Sequence, residues 1–597
     1  MSNQTGYILG ISRGHNAGAC LLKDGKIVFA LEEERLSRQK YDGGPYACMM
    51  KVKEYTDKLD YIFISHTQSL KDTGATVEFI GDDVYTGLAR KMGLIERKNV
   101  NLREHPQVID LSHQHHKIHA ACSFYRSGFD SAVSLIVDGA GSVEFVGQGG
   151  AALWEVETII DCDFPAKFNT LYKHQGTVER MSSGIDPKRS AKHLGEDGTF
   201  FSVISDTAGI VKVYEAVTEY CGFSGIEAGK TMGLFPYGNP NKAIPELFRK
   251  DTEIPLSDRN VTVPTYPGSA IINSNVFESL NDSGKDLTLL QSRRDLAYAL
   301  QTQTQDQVLN LILKAAEMSG KNKVILSGGY GLNCVANYHY LDKLNEEGIE
   351  LYVEPISNDG GTAIGVALWG YYEVSQSTEK LNGREIYLGP EYNYKQSEIE
   401  ALAARYNAIV EDADDDKVIE TMRNKNIVAL FQGRSENGPR ALGNRSLMFD
   451  PTFKDGKDFV NEIKHREYFR PFAGSILVED VHEWFDLRGM EDSPHMMYAV
   501  SCKDGVEEKI PSIIHVDGSC RIQTVSKEDN PIYHRIISKF KEETGVPIIF
   551  NTSFNLGGEP LVETLEDCLW TLQQSDIQYL YLPEYGKMLT VPNIKVI

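Results

Sequence analysis

The sequence predicts a two-domain chain of α/β and α+β class, and three observations carry that prediction. A chain of 597 residues is too long for one hydrophobic core, since single cores stop growing at roughly 250–300 residues. A strand, an Asp-Gly turn and a further strand occur near residue 7 and again near residue 131, the mark of a duplicated unit. The stretch SQSTEKLNG (375–383) is polar and turn-rich without apolar periodicity, and separates a domain at 1–375 from one at 384–597.

Taken in order, YILGIS (7–12) reads as a strand and AGACLLKDGKIVFALEEE (17–34) as a hairpin. Asp24-Gly25 supplies the positive φ angles of its two-residue turn. SAVSLIVDGAGSVEFVGQGGAALWEV (131–156) repeats the pattern with its own DG turn. Segment 166–205 is polar, lacks clear periodicity and carries Lys173, His174, Arg180, Lys188, Arg189 and Lys192. It reads as a surface loop or lid whose basic residues suit a phosphorylated ligand. Across 290–320, Leu296, Leu300, Val308 and Ile312 recur at multiples of four, a helical spacing, and the strand KVILSGG follows.

Composition narrows the function. Lys and Arg total 61 against 84 Asp and Glu, a net charge of −23 that repels duplex nucleic acid and anionic membranes. No apolar run reaches the ~18–20 residues that span a bilayer, and the opening MSNQTGYILGISRGHNAG has no secretory pattern. Nine scattered cysteines without a C-x-x-C pair fit a reducing cytoplasm, which is the expected location.

The stretch HQHHKIHA (113–120) crowds four histidines together. His115 and His119, four apart, share a helix face, and His116 with His119 is an alternative pair. A metal would need carboxylates from elsewhere, and Asp138 and Asp359 sit beside glycines where loops leave strands. A histidine-rich solvated helix with two turn aspartates explains the same spacing.

Taken together, HNAGACLLKDGKIVFALEEERLSRQK (15–40), HHKIHA, DGAGS, GKTMGLFPYG (229–238), LSGGYGLNCVAN (326–337) and NDGGTAIGVAL (358–368) resemble the bacterial O-carbamoyltransferase family. That family includes enzymes acting on nodulation factors, cephalosporins and tobramycin. The resemblance implies an N-terminal actin-like domain similar to the tRNA threonylcarbamoyl-transferase subunit. It implies metal ligation by His115, His119, Asp138 and Asp359, with iron first and manganese or zinc as alternatives, and His113 and His116 flanking. Lys230, Gly233, Gly328, Gly329 and Asn333 are the expected nucleotide contacts. His15 is a candidate general base, with a nucleotide hydrogen bond as its alternative role.

In the second half, residues 434–470 hold eight Lys and Arg against six Asp and Glu, reversing the chain's balance. Together with HVDGSCRIQTV (515–525) and PIIFNTSFNLGGEPLVET (547–564), these stretches resemble the family's C-terminal YrdC-like domain. The resemblance makes Arg440, Lys464, Arg466, Arg470, Arg521 and Ser553 candidates for binding carbamoyl phosphate and Mg-ATP, with Arg440, Lys464 and Arg521 catalytic. The implied reaction forms carbamoyl-adenylate and passes its carbamoyl group to a small hydroxylated acceptor (a sugar, an antibiotic or a nucleotide). A homodimer stays open. The alternatives are a kinase on the same core, a tRNA threonylcarbamoyl-transferase-like enzyme and a non-catalytic nucleotide sensor.

Overall fold

The computed structural model describes residues 6–67, 76–77, 82–96, 105–146, 151–176, 190–195, 198–205, 209–244, 246–248, 253–256, 261–264, 286–381 and 383–592. The chain divides into two compact units, Met1–Glu33 with Tyr41–Glu385 and Glu34–Lys40 with Ile386–Ile597. Seven residues near the N-terminus thus belong with the second unit.

The two largest sheets of the first unit repeat one topology at their cores. In the first, the order is Lys26–Glu32, Gly18–Lys23, Tyr7–Ser12, Tyr61–Ser65, Val108–Asp110. The first two neighbour pairs are antiparallel and the last two parallel. In the second, Lys167–Gly176, Ala151–Asp163, Ser131–Val137, Lys323–Ser327 and Glu350–Val353 follow in the same order with the same senses. The duplication is therefore real. Asp24 and Gly25 have φ of 49° and 83°, as the hairpin turn requires. The second Asp-Gly makes no such turn: after Asp138 the chain forms a short strand, Val143–Val146, before returning along Ala151–Asp163.

The described parts of segment 166–205 are strands and not the aperiodic lid that its composition suggests. Lys167–Gly176 is a strand of the second sheet, and Ser190–Gly195 and Gly198–Ser205 extend that sheet beyond it. Its polar residues are paired across the sheet: Lys173 contacts Glu155 at 2.5 Å, and buried His174 bonds Glu157. Arg180, Lys188 and Arg189 lie outside the described residues, and Lys192 is placed only as part of its strand.

Helix Thr362–Ser375 is buried over nearly its whole length, because glycines let three elements meet on it. A Cβ on Gly10 would stand 2.3 Å from the Ala363 carbonyl, and one on Gly365 would stand 2.3 Å from that of Ile118. This packing draws the helix after Asp359 against helix His115–Ser127. At the far end of the latter, fully buried Arg126 donates from Nε to Glu354 at 2.9 Å. Removing one partner strands a buried charge, so Glu354→Ala should cost about 3–5 kcal/mol in denaturant titration. A cost within the range of surface substitutions would contradict this.

The second unit is built on a ten-stranded sheet, with Arg445–Phe449, Ile548–Ser553, Ala473–Leu477 and Ser519–Val525 adjacent at its centre. Ala473 pairs with both Asn551 and Arg521. Register therefore brings Arg521 and the chain leading to Ser553 to one end of the sheet. Among the described residues, no helix is long and apolar enough to cross a membrane.

Candidate functional site

In each sheet of the first unit the parallel strands run the same way, and ligands collect outside the carboxyl ends of such strands. Tyr7–Ser12 leads to His15, and Val108–Asp110 leads through a turn to His115. Ser131–Val137 delivers Asp138, Lys323–Ser327 delivers Gly328 and Gly329, and Glu350–Val353 precedes Asp359. The Asp110 carboxylate sets the turn by accepting from the Ser112 amide at 3.0 Å and hydroxyl at 2.6 Å.

His115, His119, Asp138 and Asp359 come together, with ligand atoms all within 4.8 Å of one another. The Nε2 atoms of the two histidines are 3.1 Å apart. Asp359 Oδ1 lies 3.4 Å from His115 Nε2 and 3.3 Å from His119 Nε2, and Asp138 Oδ2 lies 3.7 Å from His115 Nε2. Burial alone would lower the His115 pKa, but the Asp359 and Asp138 carboxylates raise it to about 10. Burial also works against ionising Asp359, yet the adjacent His115 and His119 hold it well below the usual carboxylate range. Two imidazoles facing each other beside two carboxylates can share a cation, and two nitrogens with two carboxylate oxygens suit a first-row divalent metal. The buried group can hold a metal ion. The solvated histidine face is excluded, since His115, His116 and His119 are all buried.

His116 points elsewhere. Its Nδ1 meets Thr158 Oγ1 at 2.6 Å, and burial lowers its pKa to about 4, so it stays neutral. His113 is exposed. His15 is half-exposed, with Nδ1 3.9 Å from Asp359 Oδ2.

The sequence reading missed the residues that hold this group in place. Glu155 Oε2 accepts from the backbone of Ser142 at 3.0 Å and of His116 at 3.4 Å. Ser142 Oγ accepts from the His115 amide at 2.9 Å and donates to the Ser112 carbonyl at 2.9 Å. Burial raises the Glu155 carboxyl, but Lys173 and His116 more than offset it and bring it to about 2. The signal was Glu155 and Glu157, two acids at alternate positions of the strand Ala151–Asp163.

The expected nucleotide residues divide. Gly328, at φ 86°, would place a Cβ 2.4 Å from the Val137 carbonyl, so no side chain fits there. The Gly329 amide donates to Asp138 Oδ1 at 3.0 Å, tying the glycine turn to a carboxylate of the His/Asp group. Asn333 is occupied structurally: it exchanges hydrogen bonds of 3.0 and 3.1 Å with Gln301 and caps a helix through the Ala336 amide. Lys230 pairs with Glu227 at 2.8 Å. Gly233 is buried in a helix.

In the second unit, Arg440, Lys464, Arg466, Arg470 and Arg521 are gathered. Burial, then Arg470, Arg521 and Arg440 around it, lower the Arg466 pKa well below its usual value, with Glu467 opposing. Lys464 is lowered likewise, by burial and then by Arg466 and Arg470, with Glu559 opposing. Its ammonium donates to the Ser553 carbonyl and lies 3.4 Å from Thr552 Oγ1 and 3.5 Å from Ser553 Oγ. Arg521 Nε is buried without a hydrogen-bond partner. Such crowding of cations disfavours the empty folded state and favours a polyanionic ligand.

The Lys464 shift has a definite sign. Its folded pKa is depressed, so the cost is fully present below that depressed value, and stability recovers as pH rises from it to the ordinary lysine range. A bound anion raises the pKa again. Pyrophosphate binding should therefore take up protons between the depressed value and the ordinary lysine range, measurable by calorimetry in buffers of different ionisation enthalpy. Binding without proton uptake there would contradict the assignment.

The description "Carbamoyltransferase N-terminus" matches residues 53–368, and "Carbamoyltransferase C-terminus" matches 419–587. The chain is 29% identical to the uncharacterized protein sll1178 of Synechocystis, over 97% of this chain and 96% of that one. It is 30% identical to the nodulation protein NolNO of Sinorhizobium fredii, over 96% of this chain and 78% of the relative. It is 29% identical to the 3'-hydroxymethylcephem-O-carbamoyltransferase of Streptomyces clavuligerus, over 59% of this chain and 63% of that enzyme. With both halves matched in order, and the N-terminal match alone covering more than half of its length, the chain belongs to the carbamoyltransferase family.

Proposed function

We propose that this carbamoyltransferase is ATP-dependent and works in two stages, one in each unit. The observation that carries the reading is the cluster of five cationic side chains in the second unit, opposed by Glu467 and Glu559. In the first stage carbamoyl phosphate is hydrolysed to carbamate and phosphate. A carbamate oxygen then attacks the α-phosphorus of Mg-ATP, forming carbamoyl-adenylate and expelling pyrophosphate. Carbamate is a poor electrophile, and the mixed anhydride gives its carbonyl carbon a good leaving group. Arg440, Lys464 and Arg521 neutralise the charge gathering on the departing phosphates, while Arg466, Arg470 and Ser553 hold the substrates.

In the second stage an acceptor hydroxyl attacks the carbamoyl carbon, giving an O-carbamate and AMP. The glycine turn at 328–329 presents backbone to the adenylate, with Lys230 and Gly233 on the same nucleotide and Asn333 shaping the turn through Gln301. His15, half-exposed beside Asp359, is placed to take the hydroxyl proton. His115, His119, Asp138 and Asp359 would hold a divalent cation, iron by family resemblance, which supplies Lewis acidity toward phosphate oxygens. The acceptor is a small hydroxylated molecule.

The test is to incubate the protein with ATP, labelled carbamoyl phosphate and a library of hydroxylated compounds. Pyrophosphate release dependent on carbamoyl phosphate, followed by label in an acceptor, is the expected result. ADP formation or acceptor phosphorylation would replace this reading with a kinase.

A further inference from the structure

We propose that Arg35 and Arg38 are positioning residues for the basic cluster of the second unit, fixing the two loops that carry Arg440 and Ser553. The inference rests on reading that cluster as the carbamoyl phosphate and ATP site. Both arginines lie in Glu34–Lys40, a segment over 340 residues away in sequence from the rest of the unit it joins.

Arg35 is buried, and its Nη2 donates to the Gly438 carbonyl at 2.9 Å and to the Glu436 carbonyl at 3.4 Å. Gly438 has a φ of 93°, Pro439 follows it, and Arg440 comes next. The guanidinium thus pins the turn two residues before a cationic member of the cluster. Arg38 itself sits at φ 59°, a conformation that a non-glycine residue holds only under external constraint. Its constraint is a fork: Nη1 donates to the Leu561 carbonyl at 2.7 Å and Nη2 to the Pro560 carbonyl at 3.0 Å.

From Pro560 the restraint runs back to the site through named contacts. The Glu559 carbonyl accepts from Asn555 Nδ2 at 2.7 Å, and its carboxylate accepts from the Leu556 amide at 3.1 Å. Asn555 Oδ1 in turn accepts from Ser553 Oγ at 2.5 Å and from Lys464 Nζ at 3.5 Å. Arg38 therefore governs the loop that orients Ser553 and Lys464, and Arg35 governs the one that orients Arg440. Backbone carbonyls are the principal acceptors of both. A planar guanidinium spans two of them at once, whereas an ammonium is a single point charge.

The experiment uses the full chain and the variants Arg35→Lys, Arg38→Lys and Arg35→Ala. Melting temperature is measured with and without inorganic pyrophosphate, alongside steady-state pyrophosphate release with carbamoyl phosphate and ATP. Each lysine variant should raise the KM for carbamoyl phosphate by about tenfold, the loss of one charge-assisted hydrogen bond. Each should also stabilise less on adding pyrophosphate than the wild type does. Variants that only melt lower, with KM and the pyrophosphate-induced shift both unchanged, would overturn the proposal by reducing the arginines to stability elements. If the wild type releases no pyrophosphate, the adenylation reading fails. The pyrophosphate-induced shift then decides the positioning claim alone, and an equal shift in wild type and lysine variants would overturn it.

Discussion

Lys464→Ala is expected to slow carbamoyl phosphate-dependent pyrophosphate release by about 10²–10³-fold, the scale on which one preorganised electrostatic contact acts. The ammonium is buried, its pKa is pushed down by its surroundings, and it reaches Ser553 and Thr552 at the end of the central strand. A cation held there against burial and two neighbouring arginines is already oriented for a developing negative charge, so no reorganisation is needed during the reaction. The same variant, given synthetic carbamoyl-adenylate, should transfer the carbamoyl group at the wild-type rate. If transfer from the adenylate also collapses in a protein that melts normally, the two stages do not divide between the units as proposed.

The double variant His115→Ala, His119→Ala should lose stoichiometric divalent metal and reduce acceptor carbamoylation by more than about 100-fold, since altering even a supporting contact costs 10- to 100-fold. Pyrophosphate release should persist, because the basic cluster is built entirely from the other unit. Both imidazoles contribute to the ligand set: their Nε2 atoms lie 3.1 Å apart with Asp359 3.3–3.4 Å from each, so each offers one nitrogen to a shared ion. Metal retained by the double variant would exclude these histidines as ligands.

Several features were legible in the sequence because they obey local rules. Asp24-Gly25 forces a hairpin turn, and the apolar spacing across 290–320 produced a helix at Gln291–Ser319. His115 and His119 share a helix face because they are four apart, and the glycine-flanked aspartates, each on the chain that follows a strand, meet them. What escaped was pairing at a distance. Lys167–Gly176 looked aperiodic because Lys173 and His174 pair with Glu155 and Glu157 of the neighbouring strand, inside a sheet where apolar residues were expected. Nothing local to Arg35 or Arg38 shows that their acceptors are carbonyls of 438 and of 560–561. Ser142 was likewise invisible, since its partner is the backbone amide of His115, 27 residues away.

The central claim, that adenylated carbamate links two separate sites, is tested most directly in the double histidine variant supplied with ATP and labelled carbamoyl phosphate but no acceptor. Acid-quenched reactions are resolved by liquid chromatography and mass spectrometry. Carbamoyl-adenylate should accumulate with pyrophosphate in equal amount, because the first stage runs while transfer is blocked. ADP in place of pyrophosphate, or pyrophosphate released without any carbamoyl phosphate present, would contradict the account.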